Sequence, residues 1–171
     1  MHSFSNLISY VVNFNKDSIT QTENDIVKKL ETCASTPLVL GLQTLQYQIA
    51  IVAIGMFSVF DAYLQKTLKC ENGFQTARKN LLDNNQNDLV YRFDIITSAI
   101  NVLKHGKGRS YEYLLSIKKD LPFKIKLPND SHFHEGDVSE IDTLIQIDLT
   151  FLSECEEVIK ETCKVLQIHY W

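Results

Sequence analysis

Along most of this chain the apolar positions recur three and four residues apart, the period of a helix with one buried face. The clearest stripe is Leu89, Phe93, Ile96, Ile100 and Leu103, which steps by four, three, four and three and predicts a helix over 89–104 ended by Gly106. Residues 3–14 predict a short amphipathic helix and 22–34 a second, with Ile26, Val27 and Leu30 on one face. "STP" at 35–37 breaks the chain, and Leu38 to Leu68 then reads as one long helix, with Gly41 and Gly55 as points of disturbance and Gly73 as its stop. Shorter helices are predicted over 74–82 and 111–119, with "DNNQND" at 83–88 as a polar loop carrying a capping Asn or Asp. "LPFKIKLPND" at 121–130 is a proline-bounded extended arm. The last helix is read from "SEID" at 139–142, a capping box with Asp in place of the usual Glu or Gln. From there Ile141, Leu144, Ile145, Phe151, Leu152, Cys155, Val158, Ile159, Val165 and Leu166 carry the rhythm to the C-terminus. These elements predict an all-α, up-and-down bundle of four to five principal helices, its core over about 38–168.

One stretch, "IAIVAIGMFSVF" at 49–60, is apolar on nearly every face. A membrane span needs about 20 apolar residues, and Gln43, Gln46, Gln48, Asp61, Gln65 and Lys66 close in on either side, so the centre of the bundle is its expected place and no membrane is expected as a partner. With 171 residues, 44% of them hydrophobic, the chain is expected to fold as a single domain over 1–171. Six glycines and three prolines are too few for the tight turns of an all-β sandwich. The N-terminus lacks the basic region and cleavage site of a secretory signal, which points to the cytoplasm. Cys33, Cys70, Cys155 and Cys163 have no C-x-x-C spacing and read as reduced packing residues.

Charge changes the picture more than composition does. The net charge of −4 conceals two neighbours of opposite sign. Lys104, Lys107, Arg109, Lys118, Lys119, Lys124 and Lys126 stand against only Glu112 and Asp120, whereas ten acids after residue 126 stand against Lys160 and Lys164. Cations clustered in this way suit phosphates, from which they displace condensed counterions, and Tyr111, Tyr113 and Phe123 are placed to stack on bases. The competing reading is that the basic segment packs on the acidic helix or is a solvated face.

"INVLKHGKGRSYEYL" at 100–114 brings one histidine to the point where a helix meets two glycines and three cations. With the acid-bearing core helix "MFSVFDAYL" before it and a C-terminal helix after it, the run "N-x-x-x-H" resembles the HEPN superfamily of small helical-bundle proteins. Asn101 and His105 match that family's polar residue and histidine, whereas Ile100 stands where the shortest spacing puts its arginine, so the motif is degenerate. The resemblance implies a homodimer with paired motifs and a metal-independent endoribonuclease of a toxin or phage-defence type. It also implies a protein partner such as an antitoxin.

The chemistry fits those residues. His105 would be the base, since histidine's ordinary pKa lies nearest neutrality, and Asn101 one turn earlier would orient the ring. Arg109 or Lys107 would stabilise the phosphorane charge, with Gly106 and Gly108 letting backbone approach the phosphate. Asp61 and Tyr63 are further candidates for the same cleft. The structural counterpart is that His105 merely ends a helix whose dipole favours it, with Gly106 as its C-cap. "HFHEGD" at 132–137 has metal-ligand residue types but reads as a polar lead-in to the last helix, and His169, Tyr170 and Trp171 as an aromatic packing or dimer-contact tail. No cofactor and no metal are expected. The alternative function is a catalytically inactive HEPN-like, or unrelated, helical-bundle interaction protein.

Overall fold

The computed structural model describes residues 3–33 and 35–168, so the aromatic tail at 169–171 lies outside the described residues. Helix α1, Phe4–Leu30, begins at Ser3, whose hydroxyl accepts the amide of Asn6 at 3.1 Å. It is one continuous helix where the sequence suggested two. The polar stretch between them holds no glycine or proline, and Ile19 inside it is 2% exposed, so the buried face of Phe4, Ile8 and Val12 carries on across the expected gap. The core therefore includes α1 as well as the 38–168 region.

Helix α2, Thr36–Leu68, starts on Pro37 and runs without interruption through Gly41 and Gly55. It ends at Lys69 in the left-handed region, and Gly73, expected as its stop, instead opens α3, Gly73–Asp83, with Asn72 as the cap. A Cβ on Gly73 would lie 2.6 Å from Asp61 Oδ1 and 2.7 Å from the Asp61 carbonyl oxygen, so the glycine is there to let α3 start hard against α2. Helix α4, Asn87–His105, buries Leu89, Phe93, Ile96 and Ile100 as the stripe requires, with Leu103 half-buried. Helix α5, Arg109–Ser116, is followed by a 3-10 turn at Lys118–Asp120.

Helix α6, Leu149–Val165, is capped by Asp148, whose carboxylate accepts the amide of Phe151 at 2.8 Å. The expected start at "SEID" is not realised, because its Ser139 and Glu140 have other partners. Ser139 bonds Asp137 through both amide and hydroxyl. The Glu140 carboxylate takes the amides of Phe133 and His134, and the side-chain amides of Gln43 and Gln46 on α2 donate to the carbonyls of Val138 and Ser139. Residues 131–148 are thus pinned as irregular chain. Within them Ile145 pairs with Ile125 in a single antiparallel bridge, which joins the expected extended arm to the body.

The result is an all-α bundle. Helix α2 packs on α1, α3, α4 and α6, and the rings of Phe4, Phe57, Phe60, Tyr63, Phe74 and Phe93 form a continuous aromatic core around it. Its central place matches the sequence reading, but it is not covered on every face: Ile51 is 68% exposed and Val59 46%. By length and composition α2 is long and apolar enough to cross a membrane, and 44% of its most apolar window is buried against the other helices.

Candidate nucleic-acid interface

Helix α4 ends where Gly106 turns the chain at φ 72°, a left-handed conformation that costs glycine little, and its amide closes the helix on the carbonyl of Val102 at 2.8 Å. Three residues later α5 begins and folds back onto α4. Asn101, His105 and Arg109 all lie exposed at this corner. Among the described residues none of their side chains makes a hydrogen bond or ion pair with another group, so no acceptor orients the imidazole. A Cβ on either Gly106 or Gly108 would meet nothing within 4 Å, which leaves the corner open to solvent. Asp61 and Tyr63 do not join it. Tyr63 is buried with its ring 4.2 Å from that of Phe4, and the Asp61 carboxylate accepts from Gln65 at 2.8 Å beside the start of α3.

The cations divide by burial. Lys104, Lys107, Arg109, Lys118, Lys119 and Lys124 are exposed, and among the described residues none pairs with a carboxylate. Lys107 reaches the Pro128 carbonyl at 3.5 Å, and the Lys124 ammonium lies 2.9 Å from Nε2 of His134, which must be the unprotonated ring nitrogen to accept it. Lys126 is a correction to the expected phosphate contacts. It is 3% exposed, with its ammonium 4.7 Å from the centroid of the Phe133 ring. Its backbone is equally committed, the amide donating to Leu144 and the carbonyl accepting the Tyr111 hydroxyl at 2.7 Å.

The acidic helix does not neutralise this segment. Arg92 of α4 lies between Glu154, Glu157 and Glu161 of α6 at 3.8, 3.2 and 3.0 Å. Burial alone would lower the pKa of its guanidinium, but the Glu161 hydrogen bond and the three carboxylate charges outweigh that and raise it. Glu156 accepts from Ser9 of α1 at 2.7 Å and from Lys160 at 3.3 Å. Among the described residues no ion pair joins the basic segment to the acidic helix, whose ring contact with it is Phe151 on Phe123, and the six exposed cations have no carboxylate partner.

Of the aromatics expected to stack on bases, Tyr111 is buried as a strut under the arm, while Phe123 is half-buried and packs edge-on against Phe151 at 5.4 Å. The sequence reading missed Phe133, which it placed in a polar lead-in. With Phe123 it lines an open pocket of about 590 Å³ shared by Lys118, Lys119, Leu121, Pro122, Lys124, Ile125, Asp130 and His132. The alternation of apolar and cationic residues along 121–126 was the available signal.

Two other hollows differ in character. One of about 570 Å³ lies between α1, α2 and the 133–150 segment and is lined by Glu23, Asp137, Glu140 and Asp148 among others. A groove of about 430 Å³ between α1 and α2 is walled by Phe4, Leu7, Ile8, Val11, Val52, Met56 and Val59 over Gly55, with no charged side chain. No three His, Cys, Asp or Glu side chains among the described residues converge where a metal ion could be held.

Fold and surface together define an all-α bundle that displays, among the described residues, six exposed cations without a carboxylate partner. Comparison with known proteins finds no matching family model, no matching curated protein and no matching solved structure.

Proposed function

We propose that this protein binds single-stranded RNA through the exposed cations of the segment from Lys104 to Lys124. The observation that carries the reading is that, among the described residues, six exposed cations have no carboxylate partner while the neighbouring acids of α6 are engaged by Arg92, Ser9 and Lys160. Cations held apart from carboxylates keep their full charge for phosphates, and the flanking aromatic pocket favours unstacked bases over a duplex. Titration of a labelled single-stranded RNA at several salt concentrations tests this.

The HEPN-like arrangement and its endoribonuclease chemistry form the stronger version of the same proposal. Among the described residues His105 has no orienting partner, so catalysis there calls for a second copy to complete the site. The uncharged α1–α2 groove is the surface we assign to that copy, because it brings no like charges together in a chain of net −4. Light scattering should then give a dimer at micromolar concentration, and Val59→Glu should return it to the 19.6 kDa monomer. A monomer throughout that range would remove the shared site and leave RNA binding alone.

A further inference from the structure

The pocket between the 3-10 turn and the extended arm is lined by both cationic and aromatic side chains. Lys118 and Lys119 stand on the turn and Lys124 on the arm, and none of the three pairs with a carboxylate among the described residues. The one acid in the lining, Asp130, is committed to its own turn, its carboxylate accepting the Leu127 amide at 2.8 Å. Phe133 in the wall already bears the ammonium of Lys126, a buried cation with no carboxylate partner among the described residues. A charge withdrawn from water without a counter-ion makes the adjoining space more favourable to an anion.

We infer that this pocket holds one nucleotide, its base against Phe123 and Phe133 and its phosphate on Lys118, Lys119 and Lys124. The inference deepens the RNA reading and rests on it. Inorganic phosphate uses only the cations, and a base stacked within a duplex presents no free face, whereas an unpaired nucleotide uses both the cations and the rings. A volume of about 590 Å³ lies within the range of small-ligand sites. The same chemistry has two sources, a residue of an RNA strand or a free nucleoside monophosphate.

The test titrates the full chain with AMP, ribose 5-phosphate, inorganic phosphate and a short oligoadenylate. AMP should bind about ten-fold tighter than ribose 5-phosphate, which carries the same charge and lacks the base. Lys118→Glu with Lys119→Glu should weaken AMP about ten-fold, the same two-charge reversal at the exposed Lys28 and Lys29 of α1, outside the pocket, should leave it unchanged, and oligoadenylate should displace it. Equal binding of AMP and ribose 5-phosphate, a comparison that needs no variant, would overturn the inference. So would AMP binding that ignores the Lys118 and Lys119 reversals. If oligoadenylate binds while AMP does not, the pocket assignment fails and the RNA reading stands. If AMP binds in the pocket but oligoadenylate neither binds nor displaces it, the pocket serves free nucleotides and the RNA reading fails.

Discussion

His105 sits on the last turn of α4, exposed and without a hydrogen-bond partner among the described residues, so replacing it disturbs no packing. His105→Ala should therefore keep the fold and hold RNA affinity within about two-fold. If the paired-motif chemistry operates, the same change should cut metal-free cleavage by about a hundred-fold or more, with wild-type products ending in 2′,3′-cyclic phosphates. Wild-type protein that leaves RNA intact in EDTA, or a variant that cuts equally well, would reduce His105 to a helix end. Which residues are cations was legible in the sequence; which of them stay free was not. Lys126 and Lys124 are two residues apart in one charge run, yet one is buried against Phe133 and the other exposed. That difference is made by what the 133–134 segment lays over the arm, the Phe133 ring against the Lys126 ammonium and His134 beside the exposed Lys124. Phe133 stayed hidden for the same reason, since its value comes from a wall it shares with residues of the turn and arm.

At the level of elements, the two glycines of differing surroundings offer a paired test. Gly73→Ala puts a Cβ 2.6 Å from Asp61 Oδ1, 2.7 Å from the Asp61 carbonyl oxygen and 2.9 Å from Leu64 Cβ, so the start of α3 must move off α2. A loss of about 2 kcal/mol in urea unfolding is expected. Gly55 lies inside α2, where an added Cβ would meet nothing within 4 Å, and Gly55→Ala should raise stability by about 0.5–1 kcal/mol through helix propensity. Equal effects at both positions would contradict the close α2–α3 contact. Two helices were legible to within a few residues, α2 from its long apolar run and α4 from its three-four stripe. Two boundaries were not. The polar run inside α1 concealed Ile19, whose burial against neighbouring helices keeps the helix going. "SEID" failed as a helix start because Gln43 and Gln46, almost a hundred residues earlier, take the carbonyls of Val138 and Ser139.

For the molecule as a whole, burial governs its response to base. Burial raises the tyrosines Tyr63, Tyr111 and Tyr113 above their ordinary value, raises Cys155, and pushes Cys163 up to about 12. In the unfolded chain these groups lose their protons first, so the stability they contribute is complete below the ordinary thiol value of 9.0 and is lost as pH rises toward about 12. Urea midpoints should fall steadily across that window, and midpoints flat to its upper end would argue against the buried placements. The uneven charge was legible from the order of residues, and the exposure of its cations on one segment is what the fold adds. The most direct test of the account is the salt dependence of RNA binding. Single-stranded RNA should bind at low salt, and Lys107→Glu with Arg109→Glu should weaken it and flatten the log–log salt slope by about 1.4 or more. No binding at low salt, or a slope unchanged by that pair, would contradict the claim that this segment is an RNA interface.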